Sequence, residues 1–433
     1  MQPIDEAQLF RKISLRILPV LMLAFFFAYV NRVNIGFAKL QMTDDLHFSD
    51  AVYGLGAGIF FIGYFLLEIP SNIILHRVGA RRWIARIMVT WGLVSCATIF
   101  IRTPMQFYVM RFLLGLAEAG FIPGAIYYMS QWFPAARRSR AWSIFYIALA
   151  SCGLFGGVVS GMILRFMTDV GGLRGWQWLI LCEGIPTLLL GVYVFFRMDD
   201  SIAGAAWLTD DEKHHLQTVF ANENRDKIHT GIGSLVISAR MWALVAMYFM
   251  FTLGLYAIAF WMPTLVQRMG IHSVLRVSLV SAIPSACAVV CMVAMAYSAD
   301  RHNERRWHLT ASYAMAAIGF VLCVLWQQQP LLGVVALCIA NMGVFSISPL
   351  FWGLPTAMLT GVAAAAGIAM INSLANLSGF VAPYLIGIVS TLTGRTDIAL
   401  IAIAAGIAIG GLLTILVTRD SRPAAQPVGR GAA

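Results

Sequence analysis

The chain has 433 residues, of which 60% are hydrophobic and 12% charged, with a formal net charge of +10. Together with a mean hydropathy of +0.78, that composition excludes a water-soluble globular domain. A nucleic-acid patch would need clustered basic residues, whereas here they are spread over alternate loops between apolar runs.

About twelve of those runs are long enough to cross a bilayer as helix, which takes roughly 20 residues. In chain order they cover about residues 16–38, 51–75, 83–101, 104–128, 141–164 and 176–196, then about 240–266, 276–298, 308–327, 330–352, 362–390 and 396–418. The first run follows a short polar segment holding Arg11, Lys12 and Arg16. A cleavable signal peptide is the competing reading, but the run is long and lacks a small-residue cleavage site. Residues 1–196 and 240–418 thus read as two six-helix bundles, joined by a polar linker, 197–239, and followed by a tail, 419–433, whose composition reads as disordered. Within the linker, Thr209-Asp210-Asp211-Glu212 fits a capping box, and Leu216, Val219 and Phe220 give a short apolar stripe suited to a membrane-surface helix.

Loop charge sets the orientation. Arg77, Arg81 and Arg82, then Arg137, Arg138 and Arg140, the linker cations, Arg301, Arg305 and Arg306, and Arg419, Arg422 and Arg430 all lie on one side. Only Lys39, Arg102, Arg165, Arg174, Arg268, Arg276 and Arg395 lie on the other. The positive-inside rule puts both termini and the linker in the cytoplasm. All seven cysteines fall inside apolar runs and read as structural thiols. Gly153, Gly157 and Gly161, like Gly54 and Gly58, form small-residue stripes that admit a neighbouring helix.

A repeat divides the chain. His76-Arg77-Val78-Gly79-Ala80-Arg81-Arg82-Trp83 returns as Asp300-Arg301-His302-Asn303-Glu304-Arg305-Arg306-Trp307, both reducible to x-R-x-x-x-R-R-W between two apolar runs. Such dense arginine cannot sit in hydrocarbon, so each copy is a short hinge, and a doubled hinge means a doubled bundle of the kind secondary transporters use.

Three charges lie where hydrocarbon should be: Arg32 in the first span, with Arg111 and Glu118 in the fourth. Each costs roughly 2.5–3.5 kcal/mol on insertion scales and so calls for a reason. At 1.5 Å per residue, Arg32 and Arg111 lie about 9–10 Å below the outer surface, with Glu118 two turns deeper on the face of Arg111. Gly115 between them leaves that face open, and the three read as a water-filled cavity in which two cations stand above one acid. Two guanidiniums suit a carboxylate ligand, and the acid suits a travelling proton. The plainer arrangement pairs Arg111 with Glu118 and lets Arg32 snorkel to the interface. Glu68 and Glu183, near Pro70 and Pro186, suit pairing with loop arginines or exposed backbone, while Asn372 and Asn376 suit either a substrate or a neighbouring helix.

These features resemble the major facilitator superfamily, and more narrowly its anion:cation symporter family, in the phthalate, tartrate and hydroxyphenylacetate permease-like branch. The strings that carry the resemblance are the two hinges, Tyr29-Val30-Asn31-Arg32-Val33-Asn34-Ile35-Gly36, Ile69-Pro70-Ser71-Asn72, Arg111 through Gly120, Gly175-Trp176-Gln177-Trp178, Phe260-Trp261-Met262-Pro263 and Ile371 through Asn376. The resemblance implies an all-α integral membrane protein of twelve transmembrane helices in two pseudo-symmetric bundles. It implies proton symport of a small organic anion by alternating access in a bacterial inner membrane, by a monomer without cofactor or metal. Arg32 and Arg111 would hold the carboxylate, Glu118 would carry the proton, and Tyr29, Tyr64, Trp352, Asn372 and Asn376 would line the cavity. His76, Arg77 and Arg81, with Asp300, Arg301 and Arg305, would gate it. Two positions depart from the family: Asn31 stands where Asp is frequent, and His76 where the first hinge usually has Asp. The first departure keeps an uncoupled uniporter or exchanger open. An enzyme finds no support, since the eight histidines lie in loops or at span ends and neither H-E-x-x-H nor G-x-x-x-x-G-K-[ST] occurs.

Overall fold

In the computed structural model, residues 5–134, 137–138, 141–142, 144–145, 148, 152–225, 238–302, 304–358 and 361–419 are described. Eleven helical segments among them are long and apolar enough to cross a membrane, and the shorter apolar helix Gly157–Phe166 falls in the expected fifth span. Residues 143, 146–147 and 149–151 of that span lie outside the described residues, as do Arg140, the linker from 226 to 237 and the tail after Arg419.

The first half comprises α1 (Glu6–Val33), α2 (Ile35–Leu46), α3 (Asp50–Val78), α4 (Ala80–Ala97), α5 (Pro104–Glu118), α6 (Phe121–Trp132), α7 (Gly157–Phe166) and α8 (Gly175–Arg197). The linker helix is α9 (Asp210–Arg225). The second half holds α10 (Ala239–Arg268), α11 (Val274–Arg301), α12 (Arg306–Leu325), α13 (Pro330–Phe351), α14 (Gly353–Met358), α15 (Gly361–Asn376), α16 (Ser378–Thr393) and α17 (Asp397–Arg419).

Four expected spans are broken helices. The first begins earlier than expected, at Glu6, with Asp5 capping it through its side chain, and is interrupted at Asn34 before running on to Leu46. The fourth breaks at Ala119–Gly120, where Gly120 takes φ +87°, a conformation that costs glycine nothing. The tenth and eleventh break at Trp352 and Leu377. Interrupted membrane helices free backbone groups beside a site and are tolerated where protein or a cavity satisfies them.

Both hinges lie at one end of the bundle, the hinge end. At the opposite, far end the two halves are packed backbone to backbone. A Cβ on Gly54 would strike the Pro383 carbonyl, and one on Gly58 would crowd Phe380. Gly161 likewise lies against Ser278 of the second half. The stripes noted in the sequence therefore serve contact between halves as well as within them. A Cβ on Gly157 would press on the Phe37 ring within the first half. The capping box at Thr209 is formed, with Glu212 N donating to Thr209 Oγ1 at 3.2 Å and Thr209 N to Glu212 Oε2 at 2.8 Å. Leu216 of its stripe is buried.

Candidate functional site

Arg32 stands in the last turn of α1, where a cation complements the helix dipole. Glu118 is the final residue of α5, just before the break at Gly120. The break turns the chain so that the carboxylate meets the guanidinium: Arg32 Nη2 donates to Glu118 Oε1 in a direct ion pair. Arg32 is 5% exposed and Glu118 0%. Around the guanidinium lie three aromatic rings, Phe60 at 5.3 Å, Phe61 at 5.8 Å and Tyr64 at 4.9 Å. Among the described residues Arg32 Nε and Glu118 Oε2 have no hydrogen-bond partner, so the pair is buried with capacity to spare.

Arg111 does not pair with Glu118, and Arg32 does not snorkel, so the plainer arrangement is not the one adopted. Arg111 is itself buried, with Nε reaching the Gly56 carbonyl at 3.4 Å and the guanidinium 5.0 Å from the Phe60 ring. Its Nη2 has no hydrogen-bond partner among the described residues. The two arginines thus share the Phe60 ring without sharing the acid. The expected role of Gly115 is corrected as well. A Cβ there would overlap the Phe60 carbonyl, so this glycine seats α5 tightly on α3 and opens no cavity.

The second half completes the surroundings of Arg32. Tyr256, in the middle of α10, lies beside its guanidinium and donates to Asn376 Oδ1 at 2.9 Å. Phe61 and Tyr256 rings meet at 4.5 Å across the seam. Tyr29 is half-buried near Arg32 and Tyr256, and Tyr64 is buried beneath the guanidinium. Asn372 is half-buried one turn before Asn376. Trp352 instead packs at a tilt against Tyr248, with ring centres 4.8 Å apart, at the break in the tenth span. Of the expected residues, Tyr29, Arg32, Tyr64, Glu118 and Asn376 are therefore brought together, with Arg111 next to them.

Tyr256 was not singled out from the sequence, where it is one aromatic in a long apolar run. Glu68 differs from expectation: it accepts from Ser373 Oγ at 2.8 Å across the seam and meets no loop arginine. Glu183 accepts from Asn34 Nδ2, which also donates to Ser160 Oγ at 2.8 Å. Asn31 is held by Ser95 Oγ, which donates to its Oδ1 at 2.6 Å.

The hinges hold unlike contacts. In the first, His76 packs on Tyr127 with ring centres 4.0 Å apart, and Arg81 pairs with Asp200 at 3.2 Å. In the second, Asp300 and Arg305 pair with each other at 3.1 Å. Arg77 and Arg301 are exposed in the last turns of α3 and α11. At the far end lies a cluster that went unnoticed in the sequence. Lys39 is buried, 2.8 Å from Asp50, 3.2 Å from Thr264 Oγ1 and 3.8 Å from the Trp261 ring centre. Asp50 also takes Arg268 at 2.8 Å and the Ser390 hydroxyl.

The profile of the Major Facilitator Superfamily matches residues 21–383. The chain belongs to that superfamily. A Pseudomonas putida protein named for metabolite transport, NicT, is 42% identical over 94% of each chain. One from Agrobacterium vitis, named for tartrate transport, is 43% identical over 97% of this chain and 94% of its own. A quinolone resistance transporter of Acinetobacter baumannii is 36% identical over 95% of each. Among solved structures, an inward-facing, unoccupied bacterial homologue of the lysosomal transporter Spinster aligns with TM-score 0.76 at 14% identity, covering 94% of this chain and 97% of that one. A D-xylose–proton symporter aligns at 0.71 and 14%, covering 92% and 97%. These likenesses are of fold. As a major facilitator the protein is a multi-pass membrane transporter and not an enzyme, and relatives named for tartrate and metabolite transport are consistent with the anion:cation symporter-like branch.

Proposed function

We propose that this major facilitator imports a small organic anion, a carboxylate, together with protons by alternating access. The hinge end would face the cytoplasm with both termini, in a bacterial inner membrane, and one chain would suffice. The observation that carries the reading is the Arg32–Glu118 pair, buried where Tyr256 and Asn376 of the second half meet the first.

The chemistry is an exchange of partners. A substrate carboxylate that takes both arms of the Arg32 fork competes with Glu118 for Nη2, and an ionised Glu118 left unpaired in that apolar surrounding is costly. A proton on Glu118 removes the cost, so anion and proton enter together and leave together, after which the pair re-forms. Arg111 supplies a second cation across Phe60, and Tyr29, Tyr64, Asn372 and Asn376 supply polar contacts around the bound acid. Trp352 would wall the pathway on the hinge side. His76, Arg77 and Arg81, with Asp300, Arg301 and Arg305, would set how easily that end opens. The relatives named for tartrate transport support a carboxylate as cargo.

A second reading, an uncoupled uniporter or exchanger, is favoured by Asn31. This neutral side chain beside Arg32 is hydrogen-bonded by Ser95 and leaves Glu118 as the acid in contact with that arginine. Uptake of radiolabelled carboxylates into proteoliposomes separates the two. Symport requires accumulation driven by an acidic exterior, and Glu118→Gln should abolish that accumulation while sparing counterflow. Undiminished pH-driven accumulation by Glu118→Gln would remove the acid from coupling. Counterflow without any gradient-driven accumulation by the unaltered protein would select the uniporter.

A further inference from the structure

A groove of about 520 Å³ opens at the hinge end between the start of α1 and the end of α8, remote from the Arg32 site. Its lining includes the basic Lys12, Arg16 and Arg197 together with Leu15, Val20 and Tyr193. Trp207 of the linker also lines it, with Lys12 at 5.8 Å and Arg16 at 5.2 Å from the indole centre. We propose that the groove binds the phosphate headgroup of an anionic phospholipid, with the acyl chains running down the α1–α8 face.

Charge accounting leaves room for an anion. Lys12 is paired with Glu212 at 2.8 Å. Arg16 reaches only to 3.9 Å from Asp199, whose carboxylate is already taken by the Trp207 indole N–H at 2.7 Å. Arg197 is exposed and has no ion-pair partner among the described residues. Two guanidiniums thus flank the opening with their donors largely free, in the fork geometry that suits phosphate.

The apolar part of the lining decides between a free anion and a lipid. Leu15 is 66% exposed and Tyr193 46%, and Phe196, a residue before Arg197, is 72% exposed. Large apolar side chains so exposed at the end of a membrane helix face hydrocarbon, and an aromatic ring at that level marks the headgroup boundary. A basic pocket between membrane helices with a lipid-facing floor is suited to an anionic lipid headgroup. Inorganic phosphate would leave that floor unused. The inference needs only that the chain spans a bilayer, so it stands or falls separately from the carboxylate reading.

The test is native mass spectrometry of the purified full chain in mild detergent, titrated with phosphatidylglycerol, phosphatidylcholine or inorganic phosphate. Phosphatidylglycerol should be retained as a single tight adduct, and the other two should not. In Arg16→Gln/Arg197→Gln that adduct should weaken by at least roughly tenfold, with each nearby cation contributing to headgroup attraction. Arg16→Lys/Arg197→Lys should keep most of it, and Arg165→Gln at the far end should leave it unchanged. Equal retention of phosphatidylcholine, or an unweakened adduct in the Gln variant, would overturn the site. Displacement of the lipid by stoichiometric phosphate would reassign it to a free anion. The comparison of lipids on the unaltered protein needs no variant to fold.

Discussion

The far end and the hinge end of this transporter are closed by different means. At the far end the halves are joined to each other: Lys39 and Asp50 from the first meet Thr264, Arg268 and Ser390 from the second, and the Tyr53 hydroxyl donates to the Phe260 carbonyl at 2.9 Å. At the hinge end the ion pairs of Arg81, Arg137 and Arg305 stay within one half or reach only the start of the linker, as does that of Lys12. A transporter that rocks about a central site must make one set of contacts and break the other. Among the described residues the made set between the halves is at the far end.

The largest effect should come from breaking the far-end cluster. Asp50→Ala leaves the Lys39 ammonium buried against Trp261 and Thr264 without its carboxylate. Removing one member of a buried pair costs roughly 3–5 kcal/mol, and the partial exposure of Asp50 places this case near the lower figure. About 3 kcal/mol shifts a two-state equilibrium roughly a hundredfold. Spin labels placed on either side of the far-end seam should then report a longer distance. An unchanged distance would mean that apolar packing alone holds that end shut.

A smaller shift in the same direction is expected of Gly54→Ala, which asks whether close backbone approach contributes beside the ion pairs. The added methyl would press on the Pro383 carbonyl, which belongs to backbone and cannot swing aside. Overpacking of this kind costs about 1–3 kcal/mol. The same labels should show partial opening, and additive effects with Asp50→Ala would establish that the two contacts act independently.

The contrast between the ends also explains what was legible in the sequence. The helices, the doubled hinge and the presence of Arg32, Arg111 and Glu118 in apolar runs follow from composition and spacing, because hydrocarbon tolerates few charges and each therefore stands out. The pairing did not follow. Spacing along α5 put Glu118 beneath Arg111, but the break at Gly120 and the approach of α1 gave the acid to Arg32 instead. Gly120 and Pro123 are the signal of that break in the sequence. Lys39 was read as a loop charge because α2 prolongs the first span to Leu46, with no apolar run to mark the extension. Tyr256 carries no local signal, since its contacts with Arg32 and Asn376 arise only when the halves meet.

The smallest effect tests the hinge end, where the linker is tied by Lys12 and Glu212. Partial desolvation pushes the Glu212 carboxyl up, but the Lys12 ammonium and the Thr209 backbone N–H outweigh it and hold the group below its usual range. A depressed carboxyl stabilises the tied state above its ordinary titration range and loses that contribution as pH falls through the lowered value. The tie should therefore be fully present at neutral pH and fade only in distinctly acid solution. Because Lys12 is partly exposed, the pair is worth less than about 1 kcal/mol. Glu212→Gln should lower the thermal midpoint by a degree or two at most, as estimated from that figure for a large chain, and the difference from the unaltered protein should vanish on acidification. A loss several times larger, or one that persists in acid, would mean that Glu212 acts through its capping bond to Thr209 at the start of α9 and not through Lys12, and Lys12→Met would then leave the midpoint unchanged.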